Sequence, residues 1–538
     1  MKGNKFVKQL GLVLFLATVL VFIFSRLGNK ELYPSDSVRT QLERFQEVFY
    51  YVNRFYVEVP DKDKIISGAI EGMLSELDPH SIYIPEKNVE KVVEEFEGKF
   101  EGIGIEFIIL DKILTVVSPI VGGPSEAVGI LPGDQIIRIN DESAYGITED
   151  EVQKKLRGPK GTTVKVGIQR PGQPDPFDVV ITRNEIPIYS VIASFLLDDH
   201  ETGYVYLNRF SKSTSEELEK ALQDLEVQGM KNLILDLRMN SGGFLEQAFE
   251  VADKFIPGGY KIVYTKGRAS EEEAYYSTTP NTHKMIPLIV LIDHGSASAS
   301  EIVAGAIQDL DRGLVLGETS FGKGLVQHQI TLRDGSALRL TVARYYTPSG
   351  RLIQRPYDKG LMDYYTDAYN DSVKVKPDST QKFTTIGGRT VYGGGGITPD
   401  SILASQQITR FTNNLIRKRV FFEFGSTYGS AHRTLAQDFA RFQSTFHITD
   451  EMMVQFKDIL QKHKIANSEE AMAKDLQYIK MLMKAELARN LWDSQHYYQI
   501  RIAEDTQVKT ALSLLPEAAR IQNIHAWDGE TVEKTTNR

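Results

Sequence analysis

Residues 295–301 read Gly295-Ser296-Ala297-Ser298-Ala299-Ser300-Glu301, the densest cluster of small polar residues in an otherwise apolar setting. A serine hydroxyl at such a place would meet a substrate beside backbone N–H groups, which suits nucleophilic catalysis. The same residues also suit a helix N-terminus rich in capping serines, and residue types alone weigh the two readings about equally. The Gly-x-Ser-x-Gly elbow of α/β-hydrolases does not fit, because neither Ser296 nor Ser298 has glycine on both required sides.

A second candidate follows at Gly317-Glu318-Thr319-Ser320-Phe321-Gly322-Lys323. It satisfies most of a phosphate-binding loop but has Gly324 where Ser or Thr should hold magnesium. Residues Leu325–Thr331 also alternate like a strand, whereas a phosphate loop opens a helix. A nucleotide site is therefore excluded, and Lys323, in a tight Gly-Lys-Gly turn, becomes a candidate base. His294 and His328 lie near the two loops, yet no aspartate is specifically placed to orient either ring for a Ser–His triad. A serine and a lysine acting without histidine is the better assignment.

Composition narrows the rest. The chain has 538 residues, enough for about three to four folded units. Hydrophobic residues at 41% and charged residues at 25% exclude wholesale disorder. Net charge is −9, which leaves sequence-independent nucleic-acid binding little to act through. The absence of cysteine excludes disulfides, thiolate metal sites, cysteine nucleophiles and lipid attachment through a thiol.

The elements that must position these residues can be read along the chain. Lys2, Lys5 and Lys8 precede an apolar run from Leu10 to Phe24, closed by Arg26. This is the layout of an export signal or anchor over 1–27, and no clear cleavage motif follows it. The lysines would keep that end in the cytoplasm and send the rest of the chain outward. Residues 36–96 read as helical, with Val38, Leu42, Phe45, Val48, Phe49 and Val52 on one stripe and a second helix at about 63–77. From 97 to 185 short β-runs alternate with Gly and Pro turns, interrupted by a helix at about 148–156. From 186 to 405 apolar strands alternate with helices, as in an α/β layer. Two strand–loop–helix units there, at 232–255 and 285–310, put two loops at the carboxyl ends of neighbouring strands, where open α/β sheets place their sites. Residues 355–391 read as an inserted loop. The region 406–538 is helical, with a capping box at 467–470 opening a helix to about 492. No chemistry is legible in it, and packing or partner contact is its expected role.

The stretch Glu101-Gly102-Ile103-Gly104-Ile105 could aim backbone N–H groups at a terminal carboxylate, and 97–185 resembles a PDZ domain. Gly102, Ile103, Gly104 and Ile105 would form its carboxylate loop. The run Ser296–Glu301 with Ile302-Val303-Ala304-Gly305, Phe321-Gly322-Lys323-Gly324 and Asp236-Leu237-Arg238-Met239-Asn240-Ser241-Gly242-Gly243 strongly resembles the C-terminal processing peptidases, or tail-specific proteases. The resemblance spans about 36–405. It implies Ser298 as nucleophile, Lys323 as base and Gln327 as its support. Two departures, at Asp293-His294 and in the longer 355–391 stretch, bear on substrate preference and not on the chemistry.

A lysine near its ordinary pKa is a cation at neutral pH, and lowering it to about 7 costs roughly 4.6 kcal/mol, which apolar burial can supply. Gln327 is neutral, so it can orient the amine without restoring its charge. For the oxyanion, the N–H of Ala299 and that of Gly242 or Gly243 are the natural donors. The expected fold is multidomain α+β: N-terminal helices, a β-barrel-like PDZ domain, an α/β protease core and a helical C-terminal region. The expected function is a serine endopeptidase, cutting exported proteins near their C-termini without cofactor or metal. Its partners would be unfolded or C-terminally exposed proteins and, through 1–27, the inner membrane on the side of a bacterial periplasm. A homo-oligomer or an adaptor remains open. The alternative is a catalytically silent PDZ scaffold that binds C-termini.

Overall fold

The computed structural model describes residues 36–278, 283, 286–358, 360–366, 381–466 and 468–522. The expected anchor over 1–27 lies outside them. Among the described residues no helix is long and apolar enough to cross a membrane. The chain divides into two compact units, Met1–Leu77 and Asp78–Arg538. The first holds the helices Asp36–Phe55 and Lys62–Ser75, the latter capped by the Asp61 carboxylate on the Lys64 N–H.

In the second unit, the segment expected to stay helical to residue 96 contains a strand, Ile82–Ile84, before the helix Glu86–Glu97. Ile-Tyr-Ile pairs there with Ala337–Arg339, so tertiary pairing overrides the helical context. The β-rich module follows. Its main strands Ile105–Leu110, Ile113–Pro119, Gln135–Ile139, Thr163–Gln169 and Phe177–Thr182 lie side by side in that order. Leu114, Val116, Ile136, Val166 and Ile168 bury its core together with Val152 and Leu156 of the helix Glu149–Leu156. Thr148 and Glu151 close that helix with a capping box.

The catalytic-type layer is a six-stranded sheet in the order Val191–Leu196, Thr202–Leu207, Asn232–Asp236, Leu288–Ile292, Leu314–Gly317, Ser401–Ile402. Only the first pairing is antiparallel. Helices on both faces explain why the central strands read as unbroken apolar runs. Leu233, Leu235, Leu288 and Val290 pack against the helices Thr214–Val227, Leu245–Asp253 and Ala299–Asp309. Ile234, Ile289, Leu291 and Leu316 pack against Val508, Ala511, Leu515 and Ala518 of the last helix, Thr506–Gln522. The helix Thr506–Gln522 thus completes the core. A second sheet, built on Ala337–Tyr346, pairs with Leu325–Thr331, the strand that the alternation predicted.

Two expectations need correction. The helix expected from 468 to 492 is two helices, Glu469–Lys474 and Leu476–Leu491. Between them the Asp475 carboxylate accepts from the Thr409 N–H at 2.8 Å and from the Thr412 hydroxyl at 2.6 Å, which holds the chain out of helical register. The stretch 355–391 is not wholly loop: it holds a short helix, Leu361–Thr366, and a hairpin of Lys382–Thr384 with Thr390–Tyr392. The helical region also docks on the β-rich module. Lys462 Nζ lies 2.7 Å from the Asp111 carboxylate and 2.8 Å from that of Glu423. Gly133 is packed so closely on Ser426 that a Cβ would fall 2.5 Å from its Oγ.

Candidate active site

Three adjacent parallel strands deliver three loops to one end of the sheet. Asn232–Asp236 is followed by the loop of Gly242 and Gly243, Leu288–Ile292 by the loop of Ser298, and Leu314–Gly317 by the loop of Lys323. The three serines of the second loop separate cleanly. Ser296 and Ser300 are fully buried and donate their hydroxyls to the carbonyls of Leu237 and Asn240, each at 2.8 Å. Ser298 is half-buried, precedes the helix Ala299–Asp309, and has φ 56° and ψ −112°. A non-glycine residue with positive φ is strained, and such strain collects where a side chain must be presented.

The first loop closes on this serine. A Cβ on Gly242, whose φ is +98°, would meet the Ala297 carbonyl at 2.7 Å, Ser298 Cβ at 2.8 Å and the Ala299 nitrogen at 2.9 Å. Only glycine fits. The Gly242 N–H, however, donates to Asn240 Oδ1 at 2.9 Å, an Asx-turn contact legible in Asn-Ser-Gly. Of the two glycines expected to offer an oxyanion donor, Gly242 has its N–H engaged. Gly243 follows in the same loop, packed on Phe210, and the Ala299 N–H opens a helix and has no intrahelical acceptor. Behind the loop, Arg238 is paired with Asp236, and its NH1 donates to Asp505 at 2.9 Å and Gln507 at 2.6 Å.

Lys323 Nζ donates to Gln327 Oε1 at 2.9 Å. Burial, with the Arg339 guanidinium adding to it, lowers the Lys323 pKa to about 8 against the opposing pull of Glu301 and Asp78. The two backbones are tied together: the Tyr345 hydroxyl shares its one hydrogen between the Ser298 carbonyl at 3.0 Å and the Lys323 carbonyl at 2.6 Å. Glu301 is wholly buried and accepts from the N–H of Ser298, Gly322 and Lys323 and from the Ser320 hydroxyl. Burial raises its pKa despite these four donors. Glu301 was not singled out from sequence, although Ser298-x-x-Glu301 has capping-box spacing.

His80 lies against this site. Its carbonyl accepts from Gln327 Nε2, and its ring Nε2 lies 2.9 Å from the Tyr364 hydroxyl. His294 is turned to Glu318, 3.2 Å away, and to the Thr319 carbonyl at 3.0 Å, while His328 is exposed on its strand. In the β-rich module, Gly102 ends a strand paired with Asn184–Pro187, Gly104 has φ +72°, and Ile105 begins the edge strand. The Ile103 side chain is buried in the module's core, and its carbonyl accepts from Ser125. An Asp111, Glu423 and His463 cluster already has a cation, the Lys462 ammonium.

Residues 201–361 match peptidase family S41, 115–170 a PDZ domain, and 26–88 an activating protease CtpB N-terminal domain. Residues 411–493 match a family of unknown function, DUF8443. The chain is similar to the carboxy-terminal processing protease CtpB of Bacillus subtilis (strain 168), with 38% identity over 60% of this chain and 67% of that protein. It is similar to the carboxy-terminal-processing protease of Bartonella bacilliformis, with 39% identity over 63% of this chain and 77% of that protein. A solved photosystem II D1 C-terminal processing protease aligns at 28% identity and TM-score 0.33, over 61% of this chain and 97% of its own. With its PDZ domain, S41 core and helical C-terminal region, the chain belongs to the carboxy-terminal processing proteases, a family of serine endopeptidases.

Proposed function

We propose that Ser298 is the nucleophile and Lys323 the general base of this protease, with Gln327 orienting the amine. The observation that carries the assignment is the separation of the serines: Ser296 and Ser300 spend their hydroxyls on backbone carbonyls, while Ser298 stands strained and accessible at a helix start. Neutral Lys323 takes the Ser298 proton as Oγ attacks the scissile carbonyl. The N–H groups of Ala299 and Gly243 are the donors assigned to the resulting oxyanion. Lys323 then gives the proton to the leaving amine, and water, activated by the same lysine, releases the acyl group.

The substrates are peptides or proteins with exposed C-termini. The PDZ domain binds the tail at Gly102–Ile105, adding it as a strand along Ile105–Leu110, which pairs only with Ile113–Pro119 within its sheet. Residues 1–27 hold the protein in the inner membrane, or direct its export, and the catalytic layer works outside the cytoplasm on exported proteins. The basic-then-apolar pattern of that segment supports this reading.

The test is cleavage of an unfolded protein with an apolar C-terminus, products mapped by mass spectrometry, with wild type and Ser298→Ala side by side. Cuts near the C-terminus, lost in Ser298→Ala with an unchanged melting curve, are expected. Cleavage by Ser298→Ala would remove the nucleophile assignment, and a wild type that binds without cutting would leave a scaffold.

A further inference from the structure

We propose that Tyr364 and His80 are positioning residues for the base: they clamp the His80 carbonyl onto Gln327, and so fix Gln327 on the Lys323 amine. The proposal rests on the Ser298–Lys323 reading. It concerns residues that neither the spacing of the motifs nor the composition of the loops marks out.

A lysine amine on a four-carbon stem has wide rotamer freedom, and catalysis needs that freedom removed. Lys323 Nζ has Gln327 Oε1 at 2.9 Å. The Lys323 amine donates in this contact and keeps its lone pair for the Ser298 proton, so the Gln327 oxygen faces it and the Gln327 NH2 faces away. What that NH2 meets is the carbonyl of His80. This carbonyl is fixed from two sides. On one, Asp78 Oδ1 accepts the N–H groups of His80 at 2.8 Å and Ser81 at 2.9 Å, which sets the turn. On the other, the His80 ring Nε2 lies 2.9 Å from the Tyr364 hydroxyl.

Gln354 Nε2 donates to the Tyr364 oxygen at 3.2 Å, and we assign the Tyr364 hydrogen to His80 Nε2. His80 is then neutral with its proton on Nδ1. Burial and the neighbouring Lys323 charge agree, lowering its pKa to about 4. Gln354 Oε1 in turn accepts from the Gly324 N–H at 2.8 Å. These hydrogen bonds therefore return to the residue beside Lys323.

Tyr364 is itself held. Its ring is 3% exposed, sits edge-on to Phe321 with centroids 5.4 Å apart, and clusters with Ala297, which precedes Ser298. The stretch expected to be an inserted loop thus sends one side chain to His80, which in turn holds Gln327.

The experiment is steady-state kinetics on the full chain for Tyr364→Phe, His80→Ala and the double variant, with thermal melts alongside. Tyr364→Phe keeps every ring contact and loses only the hydroxyl. It should lower kcat about ten- to a hundredfold with KM unchanged, as expected for a slightly misplaced base. His80→Ala should do the same, and the double variant should be no worse than the more severe single one. A wild-type kcat in Tyr364→Phe, or losses that simply multiply, overturns the proposal. Should Tyr364→Phe not fold, His80→Gln and His80→Leu carry the test, since only Gln can still accept from the Tyr364 hydroxyl. Retention of kcat in His80→Gln alone supports the clamp, and equal kcat in both overturns it. Lys323→Arg is measured in parallel. Activity there would sink the dyad itself, whereas an inactive Lys323→Arg beside a fully active Tyr364→Phe sinks the clamp alone.

Discussion

Glu301 holds Lys323 by its main chain: Oε2 of the buried carboxylate accepts the Lys323 N–H at 2.8 Å. The same oxygen accepts the Ser298 N–H at 2.8 Å, so one atom fixes both residues of the dyad. Replacing it by Glu301→Gln puts an NH2 against N–H donors on one side of the group. We expect a loss of about 2–4 kcal/mol in stability, from unmet buried donors, and at least a hundredfold loss in kcat/KM. Denaturant melts and kinetics on the same preparation check this. Unchanged kinetics would mean that the backbone keeps its geometry without the carboxylate.

The buried amine of Lys323 is a stability liability. Its folded pKa of about 8 lies below the ordinary lysine value of 10.5, so between those pH values the unfolded chain binds more protons than the folded one. Stability therefore rises with pH across that window, and the full penalty is present below pH 8. Lys323→Met removes it. The inactive variant should be more stable than wild type at pH 7, on the order of 2 kcal/mol, with the gap closing toward pH 10. Urea melts at both pH values test this, and a gap that ignores pH would show that Lys323 is not held neutral by burial.

The C-terminal region reaches the site through Arg238. Asp505, just before the last helix, accepts from Arg238 NH1, and Arg238 stands on the loop that carries Gly243. Asp505→Ala should lower kcat about three- to tenfold at constant KM while Asp236 keeps the arginine in place. Steady-state kinetics decides, and a change in KM alone would separate Asp505 from the oxyanion loop.

Binding of tails should depend on their charge. Ser298→Ala protein should bind a free-acid peptide more tightly than its C-terminal amide, by about 1.5–3 kcal/mol for a lost set of charge-assisted hydrogen bonds. Titration calorimetry with matched peptides measures this. Equal affinities would leave the PDZ domain without a role in reading C-termini.

The central layer was legible because its strands are buried on both faces. Leu288–Ile292 is five consecutive aliphatic residues, and the loop after it could be read off the change to Gly and Ser. The alternation of Leu325–Thr331 was enough to reject a phosphate loop. What stayed hidden lies far apart in sequence. Tyr364 meets His80 across 284 residues, and Arg339, which helps depress the Lys323 pKa, comes from a strand with no motif of its own. The strand Ile82–Ile84 was missed because three residues carry too little periodicity to outweigh helical neighbours. In the C-terminal region the helices were legible and their purpose was not. That Val508, Ala511 and Leu515 close the core sheet depends on a face that only the folded sheet presents.

As general base Lys323 must be neutral when it works, and the pH dependence of kcat/KM for wild-type peptide cleavage tests that most directly. Activity should rise with pH along a single limb of apparent pKa about 8, where Lys323 loses its proton, and Lys323→Arg should be inactive throughout, because a guanidinium does not deprotonate in proteins. A limb centred near 6.5, the ordinary range of histidine, or normal turnover in Lys323→Arg, would contradict the dyad and return His294 or His328 as the base.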